Sequence, residues 1–434
     1  MIDLNSSPTI VIMGLGYVGL PLSLAMARKY KVLGFDTNPT VVQSILLGQH
    51  PALSVQENEE LAAFIESGQL SLTSNGNVVA GNVFIITVPT PVDANHQPDL
   101  RCLQNASTMV AQWLCPGNIV IYESTVYPGC TEEICIPLLE SLSGLRLNTH
   151  FGVGYSPERV NPGDSDRPIE KIVKLTSGSS KEVAKYVNDL YASVISAGTY
   201  LAPNIKVAEA AKAIENVQRD LNISLINEVA LIFDKLNIDT HEVLDAAATK
   251  WNFLPFKPGL VGGHCIGVDP YYLAFKAKSV GYEPKIILSG RAVNEQMASH
   301  IAQKVMRLMR LRGLVLKGAR VLILGITFKE NASDMRNTQV LKLFQYLQDQ
   351  GMHCDTLDPR ADQLEASQLF GKAPLKFEPN TSPDTAPFQR FDAVILAVAH
   401  KEFLYIDWRN WRNKQGVLFD AKGILPKHWV DGRL

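Results

Sequence analysis

Residues 9–36 read TIVIMGLGYVGLPLSLAMARKYKVLGFD, and this stretch decides the predicted fold. It begins with a β-branched run, passes through a glycine-rich turn, continues with apolar residues at helical spacing and ends in a second apolar run. This order predicts one strand–helix–strand unit with parallel strands. Further apolar runs at 83–88, 119–122 and 152–155 alternate with helical stretches, so we expect a doubly wound α/β domain over about residues 1–200.

The turn in this stretch has the spacing Gly-x-Gly-x-x-Gly, and Asp36 follows the second strand. The first glycine permits a tight turn, the second lets the backbone approach a pyrophosphate, and the third allows close helix–strand packing. An acid after the second strand accepts hydrogen bonds from a ribose 2′-hydroxyl and repels a 2′-phosphate. We therefore predict an NAD site rather than an NADP site; a glycine turn without a nucleotide is the structural alternative. The predicted cofactor-binding residues are Asp36 together with Gly14, Leu15, Gly16, Tyr17, Val18 and Gly19.

A long helix is predicted in the middle of the chain. Pro203 stands where a helix can begin, and apolar residues recur at helical spacing from Val207 to about Leu236. A helix of ~30 residues spans ~45 Å, which is longer than one small domain. We therefore expect this helix to bridge two lobes and to offer a face to another subunit.

The alternation of strands and helices resumes after about residue 316. Strands are predicted at 319–324, 353–357, 393–398 and 417–419, a helix at 338–350 and a surface loop at 377–388. The predicted fold class is therefore α/β, with two doubly wound Rossmann-like domains joined by a long central helix. We place the domains at residues 1–200, 201–315 and 316–434.

Composition and charge exclude several classes of function. Lys and Arg number 41 and Asp and Glu 43, for a net charge of -2 without a basic block, so nucleic acid is not an expected partner. The longest apolar stretches, such as 393–399, fall far short of the ~20 residues that cross a bilayer. The N-terminal residues lack the pattern of a secretory signal peptide, so we expect a cytoplasmic protein with a small-molecule substrate and no membrane partner.

Cys265 lies in the segment Gly262-Gly263-His264-Cys265, and Asp269 follows four residues further on. The six cysteines include no C-x-x-C pair, which favours reduced thiols over a disulfide frame or a zinc site, and no metal is expected. Because the glycines let the backbone pass close to a ligand, we interpret Cys265 as a nucleophile that adds to an aldehyde. A buried structural cysteine is the alternative, and His264 is interpreted as an ordinary polar neighbour.

Hydrogen-bond donors and a base are predicted on other elements. Lys212 and Asn216 are four residues apart, so one face of the long helix presents an ammonium and an amide together. Both groups can stabilise an oxyanion on a reacting carbon, although a solvated lysine is the alternative for Lys212. Glu158 follows the strand predicted at 152–155, at the edge where α/β sheets bind ligands, and we interpret it as a base.

Separated motifs along essentially the whole chain resemble the UDP-glucose/GDP-mannose dehydrogenase family. They are GLGYVG at 14–19, PTP at 89–91, ESTV at 123–126, YSPER at 155–159, EAAK at 209–212 with Asn216, GGHC at 262–265, GRAVNE at 290–295, and LGITFKEN at 324–331 with Asp334 and RNT at 336–338. Chance agreement at so many places is negligible, so the resemblance is specific.

The resemblance implies a four-electron oxidation of a sugar C6 hydroxymethyl group to a carboxylate, with two NAD⁺ and one water, on a UDP-sugar substrate. The implied catalytic residues are Cys265 for a thioester, Lys212 and Asn216 for oxyanions, Asp269 for positioning base and water, Glu158 for activating water, and Thr125 for holding water or cofactor. Implied further cofactor contacts are Thr90, Thr125 and Arg336. Implied substrate contacts are Glu158, Arg159, Lys212, Asn216, Phe256, Gly262, Arg291, Phe328 and Lys329, and the last domain receives the uridine diphosphate.

Within the family, the residues that follow Glu158 and Cys265 resemble the branch that oxidises UDP-N-acetylhexosamines for surface polysaccharides of the Vi-antigen and O-antigen type. The expected substrate is UDP-N-acetyl-D-glucosamine, with a product for capsule or O-antigen. The same chemistry on UDP-N-acetylgalactosamine, UDP-N-acetylmannosamine or UDP-glucose is the enzymatic alternative. A non-catalytic nucleotide-sugar sensor is the alternative from another class. The expected assembly is a homodimer, or a higher homo-oligomer, formed through the long helix.

Overall fold

The computed structural model describes residues 8–48, 53, 55–160, 167–376 and 390–434. The chain forms two compact units. The first comprises Met1–Glu215 and Tyr271–Tyr282, and the second comprises Asn216–Pro270 and Glu283–Leu434. The chain therefore passes from the first unit into the second, returns for a short segment and ends in the second. The three domains placed at residues 1–200, 201–315 and 316–434 stay a prediction.

The first unit is built from alternating strands and helices. In chain order these are β1 (Thr9–Met13), α1 (Gly19–Ala27), β2 (Lys31–Phe35), α2 (Pro39–Leu46), α3 (Val55–Glu66), β3 (Leu70–Thr73), β4 (Val83–Ile86), α4 (Arg101–Trp113), β5 (Ile119–Tyr122), α5 (Ile136–Ser143), β6 (Gly152–Tyr155), β7 (Lys174–Gly178), α6 (Lys181–Ala192), β8 (Thr199–Leu201) and the start of α7 (Ile205–Leu236). The predicted strands are confirmed, and β4 ends two residues before its predicted end.

The strands of the first unit form one sheet in the order β3-β2-β1-β4-β5-β6-β7-β8. Neighbouring strands are parallel except β6 and β7, which are antiparallel. The chain order reverses between β1 and β4. In open α/β sheets, ligands bind beyond the carboxyl ends of the strands at such a reversal. The glycine turn after β1 and the loop after β4 therefore lie at the expected binding edge.

Both faces of this sheet are covered by helices and loops. Ile10, Val11 and Ile12 are successive residues of β1, and each is 0% exposed. Because successive side chains of a strand point to opposite faces, this burial shows that neither face meets solvent at the centre of the sheet. Each such side chain stabilises the fold by roughly 2 kcal/mol relative to an exposed position.

The second unit contains the rest of α7 and a smaller sheet. Its further elements are α8 (Thr240–Ala247), the first residues of α9 (Asp269–Ser279), α10 (Lys285–Leu311), β9 (Arg320–Leu324), α11 (Gln339–Asp349), β10 (His353–Leu357), α12 (Gln363–Phe370), β11 (Phe391–Leu396), β12 (Arg412–Asp420) and β13 (Gly432–Arg433). The strand order is β10-β9-β11-β12-β13, with parallel neighbours throughout. The predicted strands and helix are confirmed, except that β11 begins and ends two residues earlier than predicted and β12 begins five residues earlier. The surface loop predicted at 377–388 lies outside the described residues.

The predicted long helix is α7, and it contributes residues to both units. Asn204 precedes it, and the side-chain oxygen of Asn204 accepts a hydrogen bond from the Val207 amide at 2.9 Å. Such an N-cap satisfies one of the amides that a helix start leaves without an intrahelical partner. The predicted end at about Leu236 is confirmed.

Candidate active site

The glycine turn after β1 has the geometry of a nucleotide-binding turn. Gly14 has φ +95°, a backbone conformation that residues with a side chain rarely adopt. A Cβ at Gly19 would stand 1.9 Å from the Gly14 carbonyl oxygen, so α1 packs directly on the turn. A Cβ at Gly16 would meet no atom within 4 Å, so the backbone is open to a ligand at that point. These three positions fit a pyrophosphate that lies against the turn and the N-terminus of α1.

Asp36 directly follows β2, and its side chain is hydrogen-bonded to this turn. Its carboxylate accepts hydrogen bonds from the Leu15 amide and from the Asn38 amide, each at 2.9 Å. The side chain is half-buried, so a carboxylate face stays accessible. The residues present therefore fit an NAD ribose, whose hydroxyls would donate to Asp36.

The loops after β4 and β5 are tied together beside this turn. The Thr90 hydroxyl donates to the Thr125 carbonyl at 2.7 Å, and the Ser124 hydroxyl donates to the Val88 carbonyl at 2.6 Å. The Tyr272 hydroxyl donates to the Thr90 carbonyl at 3.0 Å. The structure thus brings the predicted residues Thr90 and Thr125 together at the carboxyl edge of the sheet.

Glu158 lies just beyond β6 and is 9% exposed. One carboxylate oxygen accepts a hydrogen bond from the Val160 amide, and the other, Oε2, is buried without a hydrogen-bond partner among the described residues. A buried polar atom of this kind costs free energy unless a ligand or water pairs with it. The placement leaves one oxygen of Glu158 available for water.

A buried ion pair lies close to Glu158. The Lys174 ammonium stands 2.6 Å from Glu123, and the Tyr191 hydroxyl donates to the same carboxylate. Burial raises the pKa of Glu123, Lys174 opposes that rise, and the neighbouring negative charge of Glu158 adds to it. Spacing along the chain contains no signal for this cluster, because Glu123 and Lys174 are far apart in sequence.

Lys212 is 7% exposed on α7, and within the described part of the chain its ammonium has no hydrogen-bond or ion-pair partner. One turn earlier, the carboxylate of Glu209 accepts hydrogen bonds from the amides of Gly129, at 2.5 Å, and Thr131, at 2.9 Å. Burial raises the pKa of Glu209 to about 7, against the opposing effect of the hydrogen bonds from Thr131 and Gly129. Glu209 therefore fixes the loop after Thr125 to α7. Its sequence signal is the EAAK motif, in which only Lys212 was assigned a role.

The segment around Cys265 is held by its own backbone and by Asn216. The Cys265 carbonyl accepts hydrogen bonds from the Val268 amide at 3.0 Å and the Asp269 amide at 2.8 Å, which starts α9. The Asn216 amide nitrogen donates to the Asp269 carboxylate at 2.5 Å, and Asp269 is 2% exposed. These hydrogen bonds connect three predicted catalytic residues of the second unit, namely Cys265, Asp269 and Asn216. The Cys265 side chain is half-buried.

The glycines before Cys265 pack against the loop that follows β9. A Cβ at Gly262 would stand 2.6 Å from the Asn337 carbonyl oxygen, and a Cβ at Gly263 would stand 2.7 Å from the Phe328 ring. Gly263 also has φ +85°. The predicted residues Gly262 and Phe328 are thus in one packed region, which has no room for side chains at these two glycine positions.

His264 is more than an ordinary polar neighbour. Its Nδ1 lies 3.2 Å from the Arg336 guanidinium and 3.4 Å from the Asp334 carboxylate. Burial would raise the pKa of Asp334, but hydrogen bonds from His264 and Arg336 hold it well below its ordinary value. The sequence around His264 carries no signal of these contacts, because Asp334 and Arg336 lie far along the chain.

The remaining predicted substrate contacts occupy different surroundings. Arg159 forms an ion pair with Glu215 at 2.7 Å, and Arg291 is 3% exposed and forms one with Asp220 at 2.7 Å. The Lys329 ammonium lies over the Phe328 ring at 5.4 Å. Phe256 is half-buried in an irregular stretch before Gly262. Both arginines thus have carboxylate partners within the protein.

All six cysteines lie in the described part of the chain, and none of them forms a disulfide. Among the described residues, no group of three or more His, Cys, Asp or Glu side chains is placed to hold a metal ion. Across the same residues, no helix combines the length and the apolar character that a membrane span requires.

Comparison with known proteins identifies the family. Residues 8–195, 206–296 and 322–427 match the NAD binding, central and UDP binding domains of the UDP-glucose/GDP-mannose dehydrogenase family. The chain is 48% identical to a UDP-N-acetyl-D-glucosamine 6-dehydrogenase of Pseudomonas aeruginosa, over 98% of this chain and 99% of that protein. It is 47% identical to the enzyme of the same name from Salmonella typhi, over 98% of both.

A solved structure agrees with this assignment. The UDP-D-ManNAc dehydrogenase of Pyrococcus horikoshii is similar with a TM-score of 0.88 and 29% identity, over 98% of each chain. The chain belongs to the UDP-glucose/GDP-mannose dehydrogenase family and is an NAD-dependent oxidoreductase.

Proposed function

We propose that the chain oxidises the C6 hydroxymethyl group of UDP-N-acetyl-D-glucosamine to a carboxylate. The observation that carries this proposal is the half-buried thiol of Cys265, on a segment braced by Asn216, Asp269 and the loop after β9. The relatives at 48% and 47% identity are named for the oxidation of this sugar nucleotide at C6.

The reaction removes four electrons from each sugar. One primary alcohol and one water give one carboxylate, two hydrides and three protons. The glycine turn would hold NAD⁺, and two NAD⁺ bound in turn would supply the acceptors for the two hydrides. The protein must therefore hold the intermediate aldehyde until the second oxidation, and a covalent bond does this without releasing it.

Cys265 supplies that bond. Its thiolate adds to the aldehyde carbon, a C–S bond forms, and the carbonyl electron pair moves to oxygen. Loss of the second hydride leaves a thioester, which water attacks. The C–S bond then breaks, and the thiolate returns.

Lys212 and Asn216 stabilise the oxygen that becomes charged in these steps. Lys212 is 7% exposed, and no hydrogen bond or ion pair of its ammonium is found in the described part of the protein, so its three donors are available to a charged oxygen. Asn216 uses one N–H for Asp269 and retains a second for the oxygen. A donor of this kind contributes about 3 kcal/mol to transition-state stabilisation.

Glu158 and Thr125 act on the water that cleaves the thioester. Oε2 of Glu158, which has no hydrogen-bond partner among the residues that the structure describes, is an acceptor for a water proton, and Thr125 lies on the loop after β5. Asp269, held by Asn216, positions base and water. We assign to Asp36, Thr90 and the glycine turn the binding of NAD.

The UDP part of the substrate is assigned to the loop after β9. Phe328 offers a flat apolar surface, and Lys329 offers positive charge for a diphosphate. Arg336, which is paired with Asp334, is assigned to the cofactor. Gly262 packs against this loop at the Asn337 carbonyl, and Phe256 lies in the irregular stretch that leads to Gly262. We assign to Arg159 and Arg291 an indirect role in substrate binding. Arg159 forms an ion pair with Glu215 and Arg291 forms one with Asp220, and these ion pairs hold the elements that carry the two arginines.

Initial rates of NADH formation with purified protein and four UDP-sugars test this function. We expect UDP-N-acetylglucosamine to give the highest kcat/KM, ahead of the N-acetylgalactosamine, N-acetylmannosamine and glucose nucleotides. A higher value for another sugar would contradict the assigned epimer. Binding of all four without NADH would contradict the oxidation itself and favour a nucleotide-sugar sensor.

We further propose a homodimer, or a higher homo-oligomer, formed through α7. Large apolar side chains of this helix are exposed: Ile214 52%, Leu225 57%, Ile232 48% and Leu236 58%. A row of this kind is typical of a surface that another subunit covers. Light scattering should give at least twice the mass of one chain, and Leu225→Glu should lower it. A wild-type monomer at micromolar concentration would contradict this proposal.

We place the enzyme in the cytoplasm, with its product used for capsular or O-antigen polysaccharide. A reactive thiol such as Cys265 persists in a reducing compartment, which supports this location. Cell fractionation with an antibody against the chain tests it, and recovery outside the cytoplasmic fraction would contradict it.

A further inference from the structure

A chain of buried polar side chains connects α7 and α10 in the second unit. Asp220 and Asn227 lie on α7, Asn294 and Arg291 lie on α10, and none is more than 3% exposed. Polar groups buried between helices cost free energy unless they are hydrogen-bonded. Apolar residues would join two helices with less cost, so the polar choice calls for an explanation.

The hydrogen bonds of the four residues converge on the Asp220 carboxylate. The Arg291 guanidinium and the Asn294 amide nitrogen each donate to Asp220 Oδ1 at 2.7 Å. Because Asn294 turns its nitrogen toward a carboxylate, its oxygen faces Asn227 and accepts a hydrogen bond from Asn227 Nδ2 at 2.8 Å. Asn294, oriented by the Asp220 carboxylate, thereby favours the Asn227 orientation in which Nδ2 points toward Asn294.

Asn227 uses its remaining groups on the backbone of Gly259. The Gly259 amide donates to Asn227 Oδ1 at 2.8 Å, and the Gly259 carbonyl accepts from Asn227 Nδ2 at 3.1 Å. One side-chain amide thus pairs with both backbone groups of one residue, as a neighbouring strand would. Gly259 lies in the irregular stretch that leads to Cys265, where neither a helix nor a strand supplies such pairs.

The stretch from Gly259 to Asp269 is therefore held at both ends by the same helix. Asn227 holds Gly259, and Asn216, about three turns earlier on α7, holds Asp269. Cys265 lies between these two anchors. Reactive groups must be placed to within a fraction of an ångström, and a displacement of about 1 Å can cost about 100-fold in rate.

We propose that Asn227 is a positioning residue for Cys265. Its amide fixes Gly259, and through Gly259 it fixes the place at which the thiol meets the sugar carbon. Asn294 and Asp220 hold the Asn227 amide in the orientation that this pairing needs. The inference rests on the proposed role of Cys265.

The test compares Asn227→Ala with Asn222→Ala, the same change on the same helix at a residue that bonds to the Gln218 carbonyl of its own helix. Three quantities are measured on folded protein: kcat, the KM for NAD, and the rate at which iodoacetamide alkylates Cys265, followed by mass spectrometry of its peptide. For Asn227→Ala we expect kcat to fall about 10- to 100-fold, the KM for NAD to stay within about twofold, and alkylation to become at least about threefold faster. Asn222→Ala should match the wild type.

A folded Asn227→Ala enzyme with kcat within about twofold of the wild type, or with unchanged alkylation, would overturn the inference even if its thermal stability were lower. If Asn227→Ala does not fold, Asn294→Ala decides by the same two criteria, because it removes the group that orients Asn227. A wild-type protein that forms no NADH from UDP-N-acetylglucosamine would contradict the proposed function instead. The alkylation rates alone would then decide the positioning role.

Discussion

The turn after β1 and the turn after β9 are built alike. Each contains a glycine with positive φ, Gly14 at +95° and Gly325 at +80°. In each, the next amide donates to a carboxylate at the end of the neighbouring strand. Leu15 donates to Asp36 at 2.9 Å, and Ile326 donates to Asp358 at 2.7 Å.

The two carboxylates differ in what else surrounds them. Asp36 is half-buried and also accepts from the Asn38 amide. The side chain of Asp358 is 0% exposed; it lies 3.0 Å from His400 Nε2 and also accepts from the Arg360 and Ala361 amides. The same strand–turn–strand arrangement therefore has an accessible acid in the first unit, which we propose for the ribose of NAD, and a buried hydrogen-bond network in the second.

The largest effect is expected when the proposed nucleophile is removed, because NADH formation should be lost while NAD binding to the glycine turn is kept. Because NAD binding is assigned to Asp36, Thr90 and the glycine turn rather than to the thiol, Cys265→Ser should leave NAD affinity within about twofold of the wild type while steady-state NADH formation falls at least about 1,000-fold. Calorimetry measures the affinity, and absorbance at the NADH band measures the rate. Cys115→Ser, at an exposed thiol, is the matched control. Full steady-state turnover in Cys265→Ser would end the covalent mechanism.

The next effect tests the difference between the turns directly. A Cβ at Gly16 meets no protein atom within 4 Å, so Gly16→Val should leave the fold stable but raise the KM for NAD about 100-fold, by filling the space of the pyrophosphate. At Gly325 a Cβ would stand 2.5 Å from Val398, so Gly325→Ala should lower the thermal midpoint and leave the KM for NAD unchanged. The opposite pattern would show that the cofactor turn has been assigned to the wrong sheet.

The smallest expected effect concerns the two acids. Asp36→Ala should reduce the preference for NAD over NADP about tenfold, because it removes the charge that repels a 2′-phosphate. His400→Gln, which disturbs the partner of Asp358, should cost about 2 kcal/mol of stability and leave the cofactor preference as it is. Ratios of kcat/KM for the two cofactors, with thermal melts, measure both. An unchanged preference in Asp36→Ala would show that this acid takes no part in the choice.

Local patterns predicted the regular parts of the fold. Strands β1, β2, β5 and β6, the helix α7 and the parallel order followed from apolar runs, glycine spacing and helical periodicity. The antiparallel pairing of β6 with β7 did not follow, because strand direction depends on tertiary packing.

Contacts between distant residues account for what the sequence missed. His264 with Asp334, Glu123 with Lys174, and Asn227 with Gly259 are pairs separated by 70, 51 and 32 positions. Neither residue of such a pair carries a signal of the other, whereas Lys212 and Asn216 are joined by helix geometry alone. The missed residues mostly hold the predicted ones in place.

The ratio of NADH formed to UDP-N-acetylglucosamine consumed tests the central claim most directly. It is measured by absorbance and by chromatography of the sugar nucleotides after complete reaction. A single thiol that carries the carbon through both oxidations requires two NADH for each sugar and a uronic acid as the product. One NADH for each sugar, with a released aldehyde, would contradict the account.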